Sequence, residues 1–104
     1  MAKEKILVVD DDLNIIELIK YNLINSDYKV ITANDGLEAI RLAKEEIPSL
    51  ILLDLMLPGA DGFDVCKEIK KEKELKDTAV IMLTAKGDEF DKVLGLELGA
   101  DDYI

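Results

Sequence analysis

Histidine and tryptophan are absent from the 104-residue chain, and cysteine occurs only once, at Cys66. Without histidine, a histidine-based catalytic triad and a histidine-ligated zinc site are both excluded. A single cysteine cannot form an intramolecular disulfide, which is typical of proteins that fold in a reducing cytosol. No apolar run approaches the roughly 20 residues needed to cross a bilayer. The first residues also lack the long apolar stretch of a signal peptide. We therefore expect a cytoplasmic protein.

Positive charge is also scarce. Lysine and arginine together number 13 against 23 aspartates and glutamates, which gives a formal net charge of −10. A domain this acidic repels nucleic acid and anionic lipid, so we expect it to contact neither DNA nor a membrane directly. Apolar residues make up 49% of the chain, which excludes a disordered protein. The length predicts one domain over residues 1–104.

Short apolar runs alternate with helical patterns along the chain. Strands are predicted over residues 6–9, 30–33, 50–53 and 79–83, and a fifth strand begins at residue 102. Between them, helices are predicted over residues 13–25 and 36–46 and then in the segments that follow Asp61 and Asp88. The predicted helix caps are Asp12, Asp35, Asp61 and Asp88. Residues 34–36 also fit a hairpin turn, but the helical spacing that follows them argues against it. The alternation predicts a doubly wound α/β fold with a five-stranded parallel sheet.

The first, third and fourth strands are apolar without alternation. Strands of this kind are typical of parallel sheets whose two faces are both covered. We therefore expect helices to bury both faces of these three strands.

Polar residues follow the same three strands. The first is followed by Asp10, Asp11 and Asp12, the third by Asp54 and the fourth by Thr84. If these strands are neighbours, their polar ends meet at the carboxyl edge of the sheet, where sites form in such folds. Clustered carboxylates repel one another, and Mg²⁺, which prefers oxygen ligands, would relieve the repulsion. A carboxylate beside Mg²⁺ can also attack phosphorus.

Taken singly, these residues have simpler explanations. Acids after a strand are often helix caps or loop residues, and Thr84 alone could be an ordinary strand-end hydroxyl. We assign Asp12 mainly to capping the first helix. Cys66 is interpreted as a buried helical residue rather than a nucleophile, because no histidine can activate it. For Met56 the suitable metal donor is the backbone carbonyl, not the thioether.

Several segments together resemble the receiver domain of bacterial two-component response regulators. The matching segments, in family order and spacing, are residues 6–11, 53–58, 61–62, 81–85 and 99–103. The resemblance covers the whole chain and implies a flavodoxin-like sheet of strand order 2-1-3-4-5. It also implies a phosphorylation-activated switch that receives its phosphoryl group from a sensor histidine kinase.

The resemblance implies a role for each matching residue. Asp54 is expected to be the phosphoacceptor, and the protein to catalyse its own phosphorylation and dephosphorylation there. The expected Mg²⁺ ligands are Asp11 and Asp54 directly, Asp10 through water and the Met56 carbonyl. Thr84 is the expected switch hydroxyl and Tyr103 the switch aromatic. Met56 and Lys86, two residues beyond Asp54 and Thr84, are expected to tune dephosphorylation.

The sequence departs from the family pattern at its carboxyl end. The family has a lysine at the end of the fifth strand and then a last helix, whereas this sequence stops at Ile104. Lys86 is the nearest lysine but follows the fourth strand, so we expect a truncated receiver without its last helix rather than a replacement. Residues 93–103 resemble regulators with a winged-helix DNA-binding output domain. Such regulators dimerise through helix 4, strand 5 and helix 5, and the matching charged residues here are Lys92, Glu97, Asp101 and Asp102.

Two other functions remain open at this point. A receiver-like interaction module that is never phosphorylated would keep the fold, and the missing lysine favours that alternative. A haloacid-dehalogenase-type phosphatase also uses an aspartate and Mg²⁺, but it needs a second acid two residues after the nucleophile, where this chain has Met56.

Overall fold

A computed structural model describes residues 3–57, 60–83 and 102–103 of the chain. Five strands form the main sheet: β1 (Lys5–Val9), β2 (Lys29–Ala33), β3 (Leu50–Asp54), β6 (Ala79–Leu83) and β7 (Asp102–Tyr103). The helices are α1 (Leu13–Asn25), α2 (Gly36–Glu46) and α3 (Gly62–Lys70), followed by a 3-10 turn over Lys73–Leu75. Two short strands, β4 (Met56–Leu57) and β5 (Ala60–Asp61), pair with each other. The helix predicted after Asp88 lies outside the described residues.

The main sheet is parallel, with strand order β2-β1-β3-β6-β7. This is the predicted order 2-1-3-4-5, because β6 and β7 are its fourth and fifth strands. The predicted fifth strand is confirmed as a short segment in which Tyr103 pairs with Met82. In the centre of the sheet, Val9 pairs with Leu53 and Leu53 with Met82. The three strands that carry the predicted polar ends are therefore adjacent.

An aspartate immediately precedes each of the three described α-helices, and its carboxylate accepts main-chain N–H groups of the first turn. Asp12 accepts from Asn14 and Ile15 at the start of α1. Asp35 accepts from Glu38 at 2.8 Å, and Asp61 accepts from Phe63 at 2.8 Å. These bonds satisfy N–H groups that have no partner within the helix. They confirm the caps predicted at Asp12, Asp35 and Asp61 and rule out a hairpin turn at residues 34–36, whereas the cap predicted at Asp88 lies outside the described residues.

Most of the core lies on one face of the sheet. There α2 and α3 cover side chains that are fully buried: Leu7, Val9, Ile51, Leu53, Val80 and Met82. On the opposite face α1 packs against β1, and Ile6, Val8 and Ile16 form a smaller buried cluster. Cys66 is buried in α3 and packs in the larger cluster, as predicted.

The expected burial on both faces is complete in β1 and partial in β3 and β6. β1 is buried on both faces from Ile6 to Val9, but β3 and β6 alternate between buried and half-buried residues. Leu52 and Ile81 are among the half-buried ones. The reason is the position of α1, which contacts β1 and β2 but is the only described helix on that face. An unbroken apolar run therefore did not distinguish β1, which is buried on both faces, from β3 and β6.

At the edge of the sheet where the parallel strands begin, hydrogen bonds of polar groups join the chain segments that lead into the strands. Thr78 is 4% exposed, and its hydroxyl donates to the carbonyl of Pro48 at 2.7 Å. The ammonium of Lys70 donates to the carbonyl of Thr78 at 2.6 Å. These bonds connect α3 to the segments that precede β3 and β6.

Among the described helices, none is long and apolar enough to span a membrane.

Candidate functional site

The carboxyl ends of β1 and β3 lie side by side. The two strands are parallel neighbours, and Val9 pairs with Leu53. The residues that follow this pair, Asp10 and Asp54, are therefore brought to the same edge of the sheet. Topology thus brings together two acids that are 44 positions apart in the sequence.

Asp10 is held in place by two hydrogen bonds. Its main-chain N–H donates to the carbonyl of Ala33 at 3.1 Å, which extends the β1–β2 pairing by one residue. Its side-chain Oδ1 accepts the main-chain N–H of Asp12 at 2.9 Å. The residue is only 4% exposed. A buried acid with one oxygen already bonded to the protein presents a fixed carboxylate to the edge of the sheet.

The next two acids differ from Asp10. Asp11 is exposed, and its carboxylate lies near those of Asp10 and Asp54. Asp12 is also exposed, but its carboxylate caps α1. The sequence predicts the same distinction between Asp12 and the other two acids. The role of Ala33, whose carbonyl fixes Asp10, could not be predicted, because a backbone acceptor has no signature in side-chain type.

Three carboxylates form a cluster. Oxygen atoms of Asp10, Asp11 and Asp54 all lie within 4.8 Å of one another. Among the described residues, no lysine or arginine forms an ion pair with Asp10 or Asp11. Like charges at this separation repel, especially where one group is buried. The donor set is all oxygen, so its chemistry fits a hard divalent cation such as Mg²⁺.

Beyond Asp54 the chain turns back on itself. Leu55 donates its N–H to the carbonyl of Leu83 at 3.4 Å, and β4 then pairs antiparallel with β5. Gly62, the first residue of α3, donates its N–H to the carbonyl of Leu55 at 3.0 Å. The dipeptides Pro58-Gly59 and Asp61-Gly62 indicate only a loop here, so the ribbon is not predicted from the sequence. Two-residue strands are too short to show a periodic pattern.

The remaining predicted site residues are located only in part. The backbone of Met56 begins β4, immediately beyond Leu55. Tyr103 is placed by its backbone pairing with Met82. Thr84 and Lys86 lie outside the described residues. The structure thus brings together Asp10, Asp11 and Asp54.

Comparison with known proteins matches nearly the whole chain to one family. The family described as the response regulator receiver domain matches residues 6–104. A curated relative, the alkaline phosphatase synthesis transcriptional regulatory protein PhoP of Bacillus subtilis, is 57% identical over 101 residues. The match covers 97% of this chain but only 41% of PhoP. The chain thus spans less than half the length of this relative.

Solved structures share the fold along nearly the whole chain. The Vibrio cholerae chemotaxis protein CheY4 is 31% identical with a TM-score of 0.95, over 99% of this chain and 86% of the other. The receiver domain of the sensor histidine kinase PA1611 from Pseudomonas aeruginosa is also 31% identical, with a TM-score of 0.90. That match covers 99% of this chain and 84% of the other, whose structure has a magnesium ion coordinated in the active-site cleft.

Proposed function

Since the chain belongs to the response regulator receiver domain family, we propose that it is a phosphorylation-activated signalling switch with Asp54 as phosphoacceptor. One observation carries the proposal: carboxylate oxygens of Asp10, Asp11 and Asp54 lie within 4.8 Å of one another at the carboxyl edge of the sheet. Such a cluster is unfavourable by itself, and a divalent cation bound at this edge would offset the repulsion, including that of an incoming phosphoryl group.

Mg²⁺ is the cation that we propose. Asp11 and Asp54 would bind it directly, together with the backbone carbonyl of Met56. Asp10 would act through water, which is consistent with its buried position and with the Asp12 N–H already bonded to its Oδ1. The bound ion would neutralise charge on the phosphoryl oxygens. The magnesium site of the PA1611 receiver supports this choice by similarity.

The proposed reaction is phosphoryl transfer to a carboxylate. An oxygen of Asp54 attacks the phosphorus of the donor, and the new O–P bond forms as the bond to the leaving group breaks. With a phosphohistidine donor, the P–N bond breaks and its electron pair stays on the imidazole. Asp54 reacts as the carboxylate, so it has no proton to lose. The protein contributes position and electrostatics, as is general for this chemistry.

The further roles are carried by residues beyond the acid cluster. We assign the phosphoryl contact and switch to Thr84 and the aromatic switch to Tyr103. Water must attack the aspartyl phosphate for the signal to end, and we assign the tuning of that rate to Met56 and Lys86. The assignment of Met56 is supported by its position in the backbone, two residues after Asp54 at the start of β4.

The proposed partner is a sensor histidine kinase, which would supply the phosphoryl group in the cytoplasm. Similarity to a transcriptional regulator of which the chain spans 41% supports an output domain that controls transcription. In the full-length protein, dimerisation would use the face formed by the fourth and fifth helices of the family fold and its fifth strand, which corresponds to β7 here. The formal net charge of −10 supports an arrangement in which this domain does not itself touch nucleic acid.

The test is phosphorylation by a small donor. The chain is incubated with acetyl phosphate and Mg²⁺, and intact mass and peptide mapping locate the added group. We expect one phosphoryl group, on Asp54, which is lost in Asp54→Asn and when EDTA removes the metal. Asp64→Asn is the matched control, because it removes an exposed acid on α3 outside the cluster.

Three results would contradict the proposal. Phosphate on Asp10, Asp11 or Thr84 would show that the acceptor is wrong. A folded chain that takes up no phosphate at all would favour the interaction module. Sustained turnover of phosphomonoesters would favour the phosphatase.

A further inference from the structure

Gly62 lies unusually close to the backbone that follows β3. A Cβ atom built on Gly62 would lie 2.6 Å from the Cα of Leu55 and 2.7 Å from the carbonyl oxygen of Asp54. Real Cβ atoms essentially never approach other atoms closer than 3.0 Å. Since both contacts are with main-chain atoms, no side-chain rotation can relieve them. Any residue other than glycine at position 62 must displace either α3 or the segment 54–55.

Close approach, not an unusual backbone conformation, explains this glycine. Gly62 is the first residue of α3 and follows the cap residue Asp61. Its N–H donates to the carbonyl of Leu55 at 3.0 Å, so the two segments are both in contact and hydrogen-bonded. Glycine inside or beside regular structure is a known marker of a site where two backbones meet.

The segment that Gly62 touches is fixed from the other side as well. Asp54 pairs with Leu83 of β6, and the N–H of Leu55 donates to the carbonyl of Leu83 at 3.4 Å. The backbone at residues 54–55 therefore lies between β6 and the start of α3. A side chain at position 62 would press on a segment that has little room to yield without moving Asp54.

We propose that Gly62 is a positioning residue for phosphoryl transfer: its missing side chain sets where the main chain of Asp54 lies. The place of the Asp54 carboxylate relative to Asp10 and Asp11 follows from that main-chain position. Gly62 touches neither the phosphoryl group nor the cation. The inference rests on the proposed function, since it concerns the geometry of the same acceptor.

The test is Gly62→Ala, studied in the 104-residue chain. Displacing reacting groups by an ångström can cost about 100-fold in rate, and we expect phosphorylation by acetyl phosphate to slow about 10- to 100-fold. We also expect weaker Mg²⁺ binding, measured by titration of amide resonances. Circular dichroism at the assay temperature checks that the variant is folded.

Val65→Ala is the matched control. Val65 is 1% exposed, lies one turn further along α3 and belongs to the core cluster. Its truncation destabilises the same helix without placing an atom against residues 54–55. We expect a lower melting temperature with an unchanged phosphorylation rate and Mg²⁺ affinity below the melt. If the two variants lose phosphorylation rate and Mg²⁺ affinity equally, a loss of stability explains the effect of Gly62→Ala and the inference is overturned.

The outcomes separate this inference from the proposed function. If the unaltered chain takes up no phosphate, the proposed function fails. If it does and Gly62→Ala matches it in rate and Mg²⁺ affinity, only the role of Gly62 is refuted.

A measurement on the unaltered chain covers the case in which Gly62→Ala does not fold. Because the Gly62 N–H is bonded to the carbonyl of Leu55, next to Asp54, its amide resonance should shift with the same Mg²⁺ midpoint as that of Asp54. A Gly62 resonance that stays still while the Asp54 resonance moves would overturn the inference.

Discussion

The main-chain N–H of Asp12 donates to Oδ1 of Asp10 at 2.9 Å. This bond lies between two acids that serve different parts of the molecule. Asp10 is buried and belongs to the carboxylate cluster, whereas the Asp12 side chain is exposed and caps α1. Three consecutive acids therefore divide into two that belong to the site and one that belongs to a helix.

Replacing Asp12 by alanine should affect stability rather than metal binding. The variant loses the acceptor for the N–H groups of Asn14 and Ile15, and loss of such a cap typically costs about 1 kcal/mol. Asp12→Ser, which can still accept these bonds, should recover most of the loss. Urea unfolding measures both variants, and Mg²⁺ titration should show little change in either. A large loss of Mg²⁺ affinity in Asp12→Ala would place Asp12 in the metal site.

Asp11→Asn should have the opposite pair of effects. It removes one negative charge from the cluster, so we expect several-fold weaker Mg²⁺ binding or more. The metal-free variant should melt at a higher temperature than the unaltered chain, because repulsion among the three carboxylates is relieved. Titration and thermal melts with and without EDTA measure the two effects. Unchanged Mg²⁺ affinity would refute the assignment of Asp11 as a ligand.

Mg²⁺ should stabilise the folded chain by mass action. At a concentration 100-fold above the dissociation constant, a ligand that binds only the folded state contributes about 2.7 kcal/mol. The melting temperature should therefore rise with Mg²⁺ and return to its starting value on chelation. Potassium chloride of equal ionic strength controls for general screening of the acidic surface. A rise of the same size with potassium alone would show that no specific site is involved.

Ile47→Asn should stabilise the fold. Ile47 immediately follows α2 and has a left-handed φ of 45°, a conformation that costs a β-branched residue about 1–2 kcal/mol. Asparagine tolerates it better, and the side chain of Ile47 is 49% exposed, so little packing is lost. We expect a gain of about 0.5–1 kcal/mol in the free energy of unfolding. Ile47→Val, which keeps the branched side chain, should show no gain. A loss in Ile47→Asn would mean that packing outweighs the strain.

Thr78→Val should destabilise the fold. The buried hydroxyl donates to the carbonyl of Pro48 at 2.7 Å, and valine leaves that acceptor without this donor. Leaving a buried polar group unsatisfied costs about 1–3 kcal/mol. Thr78→Ser keeps the hydroxyl and should lose less. Chemical denaturation of both variants decides the question, and a valine variant that is more stable than the serine variant would refute this role for the hydroxyl.

Much of the fold could be predicted from local signals. The predicted bounds of α1 and α2 match the structure because an aspartate cap precedes a clear helical stripe in each. The family resemblance supplied the strand order, which is confirmed and which no local signal contains. Because β1 and β3 are adjacent, the clustering of Asp10, Asp11 and Asp54 could be predicted from the rule that parallel strands end at one edge of the sheet.

Other features depend on contacts between distant backbone segments. Nothing in the residue types at positions 56 and 60 predicts the pairing of β4 with β5. The close approach of Gly62 to Leu55 could not be predicted either, since the dipeptide Asp61-Gly62 fits an ordinary loop equally well. The half-buried faces of β3 and β6 depend on which strands α1 covers. A run of apolar residues in the sequence does not show which strands a helix covers.

Because Cys66 is buried in α3, the rate at which its thiol is chemically labelled reports how often α3 opens. The side chain is 0% exposed and is the only cysteine in the chain, so a bulky thiol reagent must wait until the helix detaches. When reclosing is faster than labelling, the labelling rate, relative to that of a free thiol, gives the free energy of that opening. The thiol thus reports on the helix whose first residue lies against residues 54–55. Comparing labelling rates with and without Mg²⁺ would measure how strongly a cation at the acidic edge stabilises that helix.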